Sequence, residues 1–219
     1  MCGRFSLYAS DDDLVKLFDI DVMEGEHGAS YNQAPSQWIR SVVGDQPRVL
    51  TLQKWGLVPH WAKDNFRPLI NARAETLTEK PAFRAAAMRR RCLLPANGYY
   101  EWSDKQPYFL SEGGAVQGMA GIYETYYLSD GSPIITCAII TRAATDSLGH
   151  IHDRMPVFVP PDMWQEWLDP QLQDRRDVQA LLDSVPAAHP AARPVNPAVG
   201  NVRTEDPDVI FDWPQTLDV

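Results

Sequence analysis

The sequence predicts an α+β protein with a largely antiparallel, barrel-like β core flanked by short helices. Three observations predict it. Short runs rich in β-branched and aromatic residues crowd the middle of the 219-residue chain, segments of helical period sit toward its two ends, and a Ser129-Asp130-Gly131 turn separates two of the runs as in a hairpin. No internal repeat or low-complexity stretch interrupts the pattern, and the length suits a single domain over residues 1–219.

Taken in order, Ser10 followed by Asp13, with Leu14, Leu17 and Phe18 at helical spacing, predicts a short capped helix. Residues 31–35 (YNQAP) predict a loop, because Asn, Ala and Pro end any regular pattern. Residues 48–58 predict a strand with imperfect alternation. A helix is expected over 81–90, where three alanines and Met88 favour it and the following arginines suit its C-terminal dipole. Strands are expected at 91–95, 107–110, 118–127 and 134–141, then helices near 161–168 and 174–184. A Pro-rich segment over 186–219 completes the chain, packed on the domain or partly flexible.

Composition restricts the function classes. With 44% hydrophobic and 22% charged residues, and no apolar run of membrane-spanning length or basic leader, the chain reads as a cytoplasmic monomer without membrane attachment. Cys2, Cys92 and Cys137 are odd in number and lack metal-ligand spacing, so neither a disulfide framework nor a metal site is expected, and no cofactor is implied. Cys92 and Cys137 lie in apolar runs and are expected in the core. The formal charge of −9 opposes nucleic-acid binding at first sight, but the acidity is uneven. Through residue 154 there are 16 Lys and Arg against 18 Asp and Glu; beyond it there are 4 against 11. A basic surface can therefore form from Arg4, Arg67, Arg73, Arg84, Arg89, Arg90, Arg91, Arg142 and Arg154.

The N-terminus carries the most distinctive chemistry. Cys2 follows Met1 directly, and a small second residue is what methionine aminopeptidases accept, so the mature chain is expected to begin with Cys2. Its α-amine would titrate near ~7.7–8.0 and its thiol near ~8.5. Such a 1,2-aminothiol condenses with an aldehyde to a Schiff base and then closes to a thiazolidine; it also suits attack on an amide with the amine as base. Four further groups stand out. Asn71 and Arg73 follow apolar Leu69 and Ile70, though either alone fits an ordinary turn. Glu101 sits among aromatics in NGYYEW, where burial would raise its pKa and suit it to proton transfer, while an alternating strand would equally point it to water. His152 precedes a strand-like VFV, as structural histidines also do. In WGLVPHW, Trp55 is expected in the core and Trp61 is suited to stacking on unpaired bases, with Arg67 and Arg4 available for phosphates.

MCGRF, YNQAP, WGLVPHW, LINARAET, ANGYYEW and IHDRMPVFV, in this order over residues 1–160, with GNV at 200–202, together resemble the SRAP family, the SOS-response-associated peptidase fold. The resemblance implies an SRAP-like fold and a protein that senses abasic sites in single-stranded DNA. It implies that Cys2 is the covalent nucleophile and that Asn71 holds the terminal amine and opened sugar. Glu101 would move protons during ring opening and dehydration, and His152 would stabilise sugar oxygens and act as acid or base in adduct reversal or strand cleavage. Arg4, Asn32, Arg73 and Trp61 match positions that hold phosphate or stack on flanking bases; Arg67 and Arg154 complete the expected DNA surface. The chain departs from relatives with two consecutive tryptophans, since Ala62 follows Trp61. Two other readings stand beside this one: a cysteine-type peptidase or N-terminal nucleophile amidohydrolase, and a non-covalent single-strand DNA-binding module.

Overall fold

The structure is a computed structural model that describes residues 2–145 and 149–213. Removal of Met1, and the last six residues of the Pro-rich segment, lie outside the described residues. The strands are β1 (Phe5–Leu7), β2 (Val22–Met23), β3 (Ser30–Gln33), β4 (Trp38–Val43), β5 (Val49–Trp55), β6 (Asn71–Arg73), β7 (Arg91–Ala96), β8 (Gly98–Ser103), β9 (Gln106–Ser111), β10 (Gln117–Tyr127), β11 (Pro133–Ala143), β12 (Arg154–Pro156), β13 (Phe158–Val159) and β14 (Ala191–Pro194). The helices are α1 (Asp11–Phe18), α2 (Arg84–Arg89), α3 (Trp164–Leu168) and α4 (Arg175–Ser184).

Five strands close a barrel in the order β11, β10, β7, β4, β5, with β5 returning to β11 through the parallel pairs Lys54↔Thr136 and Trp55↔Cys137. The other four pairings of the ring are antiparallel, and β6 and β12 lie along β11 outside it. The predicted barrel-like, largely antiparallel core is therefore present. Leu50, Trp55, Leu93, Met119 and Ile139 are fully buried members of its apolar cluster, which also takes in Cys92 and Cys137 as expected. Burying a side chain of this size stabilises by about 1.5–3 kcal/mol. A second, wholly antiparallel sheet, β14-β9-β8-β1-β3, packs on a smaller cluster of Tyr100, Phe109, Val195, Val199, Val209 and Ile210.

Local chemistry explains most of the elements. Ser10 caps α1: its Oγ accepts the Asp13 N–H at 3.1 Å and donates to Asp13 Oδ2 at 2.6 Å, while Leu14 and Phe18 turn inward. The β10–β11 hairpin turns where Gly131 takes φ 81°, a conformation that costs glycine least, and Asp130 Oδ1 accepts the Ser132 N–H at 2.9 Å. Within the Pro-rich segment β14 pairs with β9, and prolines open the two 3-10 turns Pro197–Gly200 and Pro207–Ile210.

Two expectations are corrected. Residues 31–33 are not loop but the body of β3, hydrogen-bonded to β1; the turn residues begin only at Ala34 and Pro35. The polar side chain of Asn32 is accommodated in that strand because carbonyls from the chain's far end satisfy it. The helix expected over 81–90 begins only at Arg84, after a turn in which Phe83 donates its N–H to the Lys80 carbonyl.

Candidate active site

The site is assembled where β1 threads between β8 and β3. Phe5 faces Tyr99 on one side and Gln33 on the other, and the Tyr100 N–H donates to the Arg4 carbonyl at 2.9 Å. This pairing anchors the backbone just beyond Cys2 and seats Cys2 itself in full burial. From the barrel side, β6 runs parallel to β11, with Asn71 opposite Ile139. Asn71 Nδ2 donates to the Cys2 carbonyl at 2.8 Å, linking residues 69 apart in sequence. Its Oδ1 is buried and has no hydrogen-bond partner among the described residues. A buried amide oxygen left open in this way is an acceptor waiting for a donor.

Glu101, on β8, is also buried. Burial raises its pKa above the usual carboxylate range, opposed by the nearby charge of His152. Burial likewise pushes the Cys2 thiol well up, with the Glu101 charge adding to the effect and the Arg4 carbonyl, 3.9 Å from Sγ, opposing it. The structure thus brings Cys2, Asn71, Glu101 and His152 into one neighbourhood. The half-buried His152 ring accepts the Arg154 N–H on Nδ1 at 2.9 Å, and Asp153 Oδ1 lies 2.9 Å from the same nitrogen. The first contact requires Nδ1 without a proton and the second requires one, so the ring has a partner in either state.

Arg154 lies beside this histidine, where its guanidinium forks onto Glu75 at 2.7 and 2.9 Å and donates to the Thr141 carbonyl at 2.6 Å. The Arg154 hydrogen bonds hold the Glu75 carboxyl below its usual range. These contacts tie the strand that follows His152 to the turn that follows Asn71. Arg4 is half-buried: it donates to Asn32 Oδ1 at 2.7 Å and the Val199 carbonyl at 2.6 Å, and its guanidinium lies 5.9 Å from the Trp102 ring centre. Asn32, one of the residues expected to contact DNA, is fully buried and touches Arg4 and the 199–204 backbone.

Arg67, Arg73 and Trp61 are exposed, Trp61 by 53% of its surface. Trp55, by contrast, is fully buried and donates its indole N–H to the Ile70 carbonyl at 2.9 Å. Trp61, Leu69, Asn71, Arg73 and Phe83 line a cleft of about 470 Å³. Lys80 and Thr141 line it too; sequence reasoning passed over both, and nothing in their local pattern marks them. The cleft is mostly apolar with an amide and two cations at its edge, which suits a base on the wall and a phosphate at the rim. Among the described residues no three His, Cys, Asp or Glu side chains converge as metal ligands, and no helix is long and apolar enough to cross a membrane.

Comparison with known proteins places the chain in a family. The sequence model of the family described as SOS response associated peptidase (SRAP) matches residues 1–202. The abasic site processing protein YoqW of Bacillus subtilis (strain 168) is 38% identical over 221 residues, covering 96% of this chain and 99% of the relative. The abasic site processing protein YoaM of the same organism is 43% identical over 193 residues, covering 83% and 85%. A crystal structure of a protein from Bacteroides thetaiotaomicron superposes with a TM-score of 0.83 over 97% of this chain and 100% of that one, at 23% identity, which speaks to the fold alone. On the length of the match and the identity of these relatives, the chain belongs to the SOS response associated peptidase (SRAP) family.

Proposed function

We propose that this protein captures abasic sites in single-stranded DNA as a covalent thiazolidine adduct through Cys2, after Met1 has been removed. The observation that carries the reading is the Asn71 side chain, which donates to the Cys2 carbonyl while its Oδ1 remains open beside the terminus. An α-amine exposed by Met1 removal is the donor that this acceptor fits. The names of the relatives, abasic site processing proteins, support the abasic site as the target.

Because burial keeps the Cys2 thiol protonated at neutral pH, the amine attacks first. Its lone pair forms a C–N bond to the aldehyde carbon of the ring-opened sugar, and one amine proton passes to the carbonyl oxygen to give a carbinolamine. Glu101, raised in pKa, donates a proton to the departing hydroxyl, water leaves and the C=N bond forms. The resulting carboxylate accepts the thiol proton as Sγ adds to the imine carbon. The C=N electron pair returns to nitrogen, which has kept its second amine proton throughout, so aldehyde plus aminothiol becomes thiazolidine plus one water. His152, able to hold or release a proton at its ring, serves the sugar oxygens in the same steps and in their reversal or in strand cleavage. An abasic site has no base to extrude, so it enters the pocket without most of the unstacking cost that base flipping carries.

The test is denaturing electrophoresis of the protein mixed with single-stranded DNA containing one uracil, with and without uracil excision, beside Cys2→Ala. A denaturation-resistant band that requires both excision and Cys2 is expected. Its absence, with Met1 shown by mass spectrometry to be gone, overturns the reading.

A further inference from the structure

A second titratable cluster lies outside the site, beneath the segment that carries Trp61. Glu124 on β10 is buried, an expensive place for a carboxylate unless it is paired. Its Oε2 accepts from Arg90 at 2.7 Å and lies 3.2 Å from His60 Nδ1, and its Oε1 accepts the Thr125 N–H at 3.1 Å. An ion pair with Arg90 already answers the charge, so the third partner calls for another explanation. His60 is itself largely exposed and gains little burial from the contact. What the contact does fix is a turn: Ala62 donates its N–H to the Pro59 carbonyl at 2.9 Å, making His60 and Trp61 the two central residues.

The same segment is tied at other points. Leu57 and Leu69 exchange backbone hydrogen bonds of 2.9 and 3.0 Å across its base, Val58 donates to Thr136 Oγ1 at 3.0 Å, and Asp64 accepts the Tyr126 hydroxyl at 3.2 Å. Thr136, Tyr126 and Glu124 all belong to the β10–β11 hairpin. The hairpin is therefore a rigid bed for the segment, and His60 is the tie point adjacent to Trp61 in sequence. Held this way, Trp61 meets the Phe66 ring nearly at right angles, 5.9 Å between centroids, and lines the Asn71 cleft with 53% of its surface exposed. Left loose, an indole of this size would gain by folding onto neighbouring apolar surface.

We infer that His60 is a positioning residue: locked through Nδ1 to the Glu124–Arg90 pair, it sets the Pro59–Ala62 turn so that Trp61 stands ready to stack on a base flanking the captured lesion. The inference rests on the proposed function for the identity of the stacked group. Its contribution falls on DNA binding and acts through Trp61, and fixing the platform in advance spares the ordering of that side chain on binding.

Single-turnover crosslinking to an abasic 20-mer is measured across DNA concentrations for the full chain and for His60→Ala, His60→Asn, Trp61→Ala and the His60→Ala/Trp61→Ala double variant. Anisotropy with an intact fluorescent 20-mer is read in parallel. His60→Ala is expected to raise the half-saturating DNA concentration about five- to tenfold, within the range one base stack supplies, with the change falling there and not in the saturated rate. His60→Asn, whose Nδ2 can take the place of Nδ1 against Glu124, is expected to restore most of the loss. In the Trp61→Ala background, His60→Ala is expected to add less than twofold. A fully additive double variant, a failure of His60→Asn to restore binding, or an unchanged half-saturation overturns the inference. Failure of the wild-type protein to crosslink at all is failure of the proposed function; the anisotropy arm still decides whether His60 acts through Trp61.

Discussion

Replacing Asn32 with Ala tests whether this residue meets nucleic acid or holds the fold. Its amide has two protons for three carbonyls, those of Val199, Asn201 and Thr204 at 3.2, 2.9 and 2.8 Å, and its Oδ1 accepts from Arg4 at 2.7 Å. Two donated bonds at about 1 kcal/mol each and one charge-assisted bond at about 1.5–3 kcal/mol sum to about 4 kcal/mol. Such a loss is a large part of a total stability of about 5–15 kcal/mol, and at ~2–4 °C per kcal/mol it lowers Tm by about 8–16 °C. Urea unfolding should show a lower midpoint at unchanged slope, and limited proteolysis should open the 196–205 region first. A loss under about 1 kcal/mol, together with strongly weakened DNA binding, would refute the structural assignment and return Asn32 to the nucleic-acid surface.

Glu101 binds a proton more tightly folded than unfolded, so its ionisation subtracts stability as pH rises from the usual carboxylate range through its raised folded value. Glu101→Gln should therefore raise Tm at pH 7, with less gain at pH 4, and slow crosslinking at least about 100-fold. Calorimetry at the two pH values and the gel assay check both arms. Asn71→Ala removes the 2.8 Å bond to Cys2 and is expected to slow crosslinking about 10–100-fold in rapid-quench time courses, with Tm falling by only a few degrees. Arg154→Gln breaks the fork onto Glu75 and should slow crosslinking without changing the salt slope of DNA binding, since that guanidinium is already engaged; a slope reduced by about one unit would mark it as a phosphate contact. All three thiols are buried and pushed up, so mass-spectrometric alkylation at pH 7.5 should be at least about 100-fold slower native than denatured.

The elements governed by local chemistry were the legible ones. The Ser10 cap, the Gly131 turn and the continuous apolar runs of β10 and β11 act over a few residues, and the structure keeps them. What escaped depends on partners far along the chain. Strand β3 is polar at Asn32 because carbonyls about 170 residues away complete it, which no window of sequence reveals. Strand β8 depends on a nearer partner: Gly98 is needed because a Cβ there would stand 2.4 Å from Phe109 Cζ on the adjacent strand β9. For the site, composition marked the residue types, and the ordered motifs marked the positions. Spacing could not tell that Arg154 would clasp Glu75 while Arg73 stays exposed, because that choice is made by the β11–β12 pairing.

Strand β11 touches β10, β12, β5 and β6, and two of those contacts reach back about 70–80 residues. During synthesis the cysteine end leaves the ribosome first, whereas Asn71 has nothing to lie against until Ile139 has followed, and His152 later still. Long-range strand pairing of this kind forms slowly relative to local structure. On the proposed function, a nascent or truncated chain therefore carries its aminothiol apart from Asn71 and His152, and competence for aldehydes would arrive only as the barrel shuts. Under that proposal, folding is the arming step of the reagent.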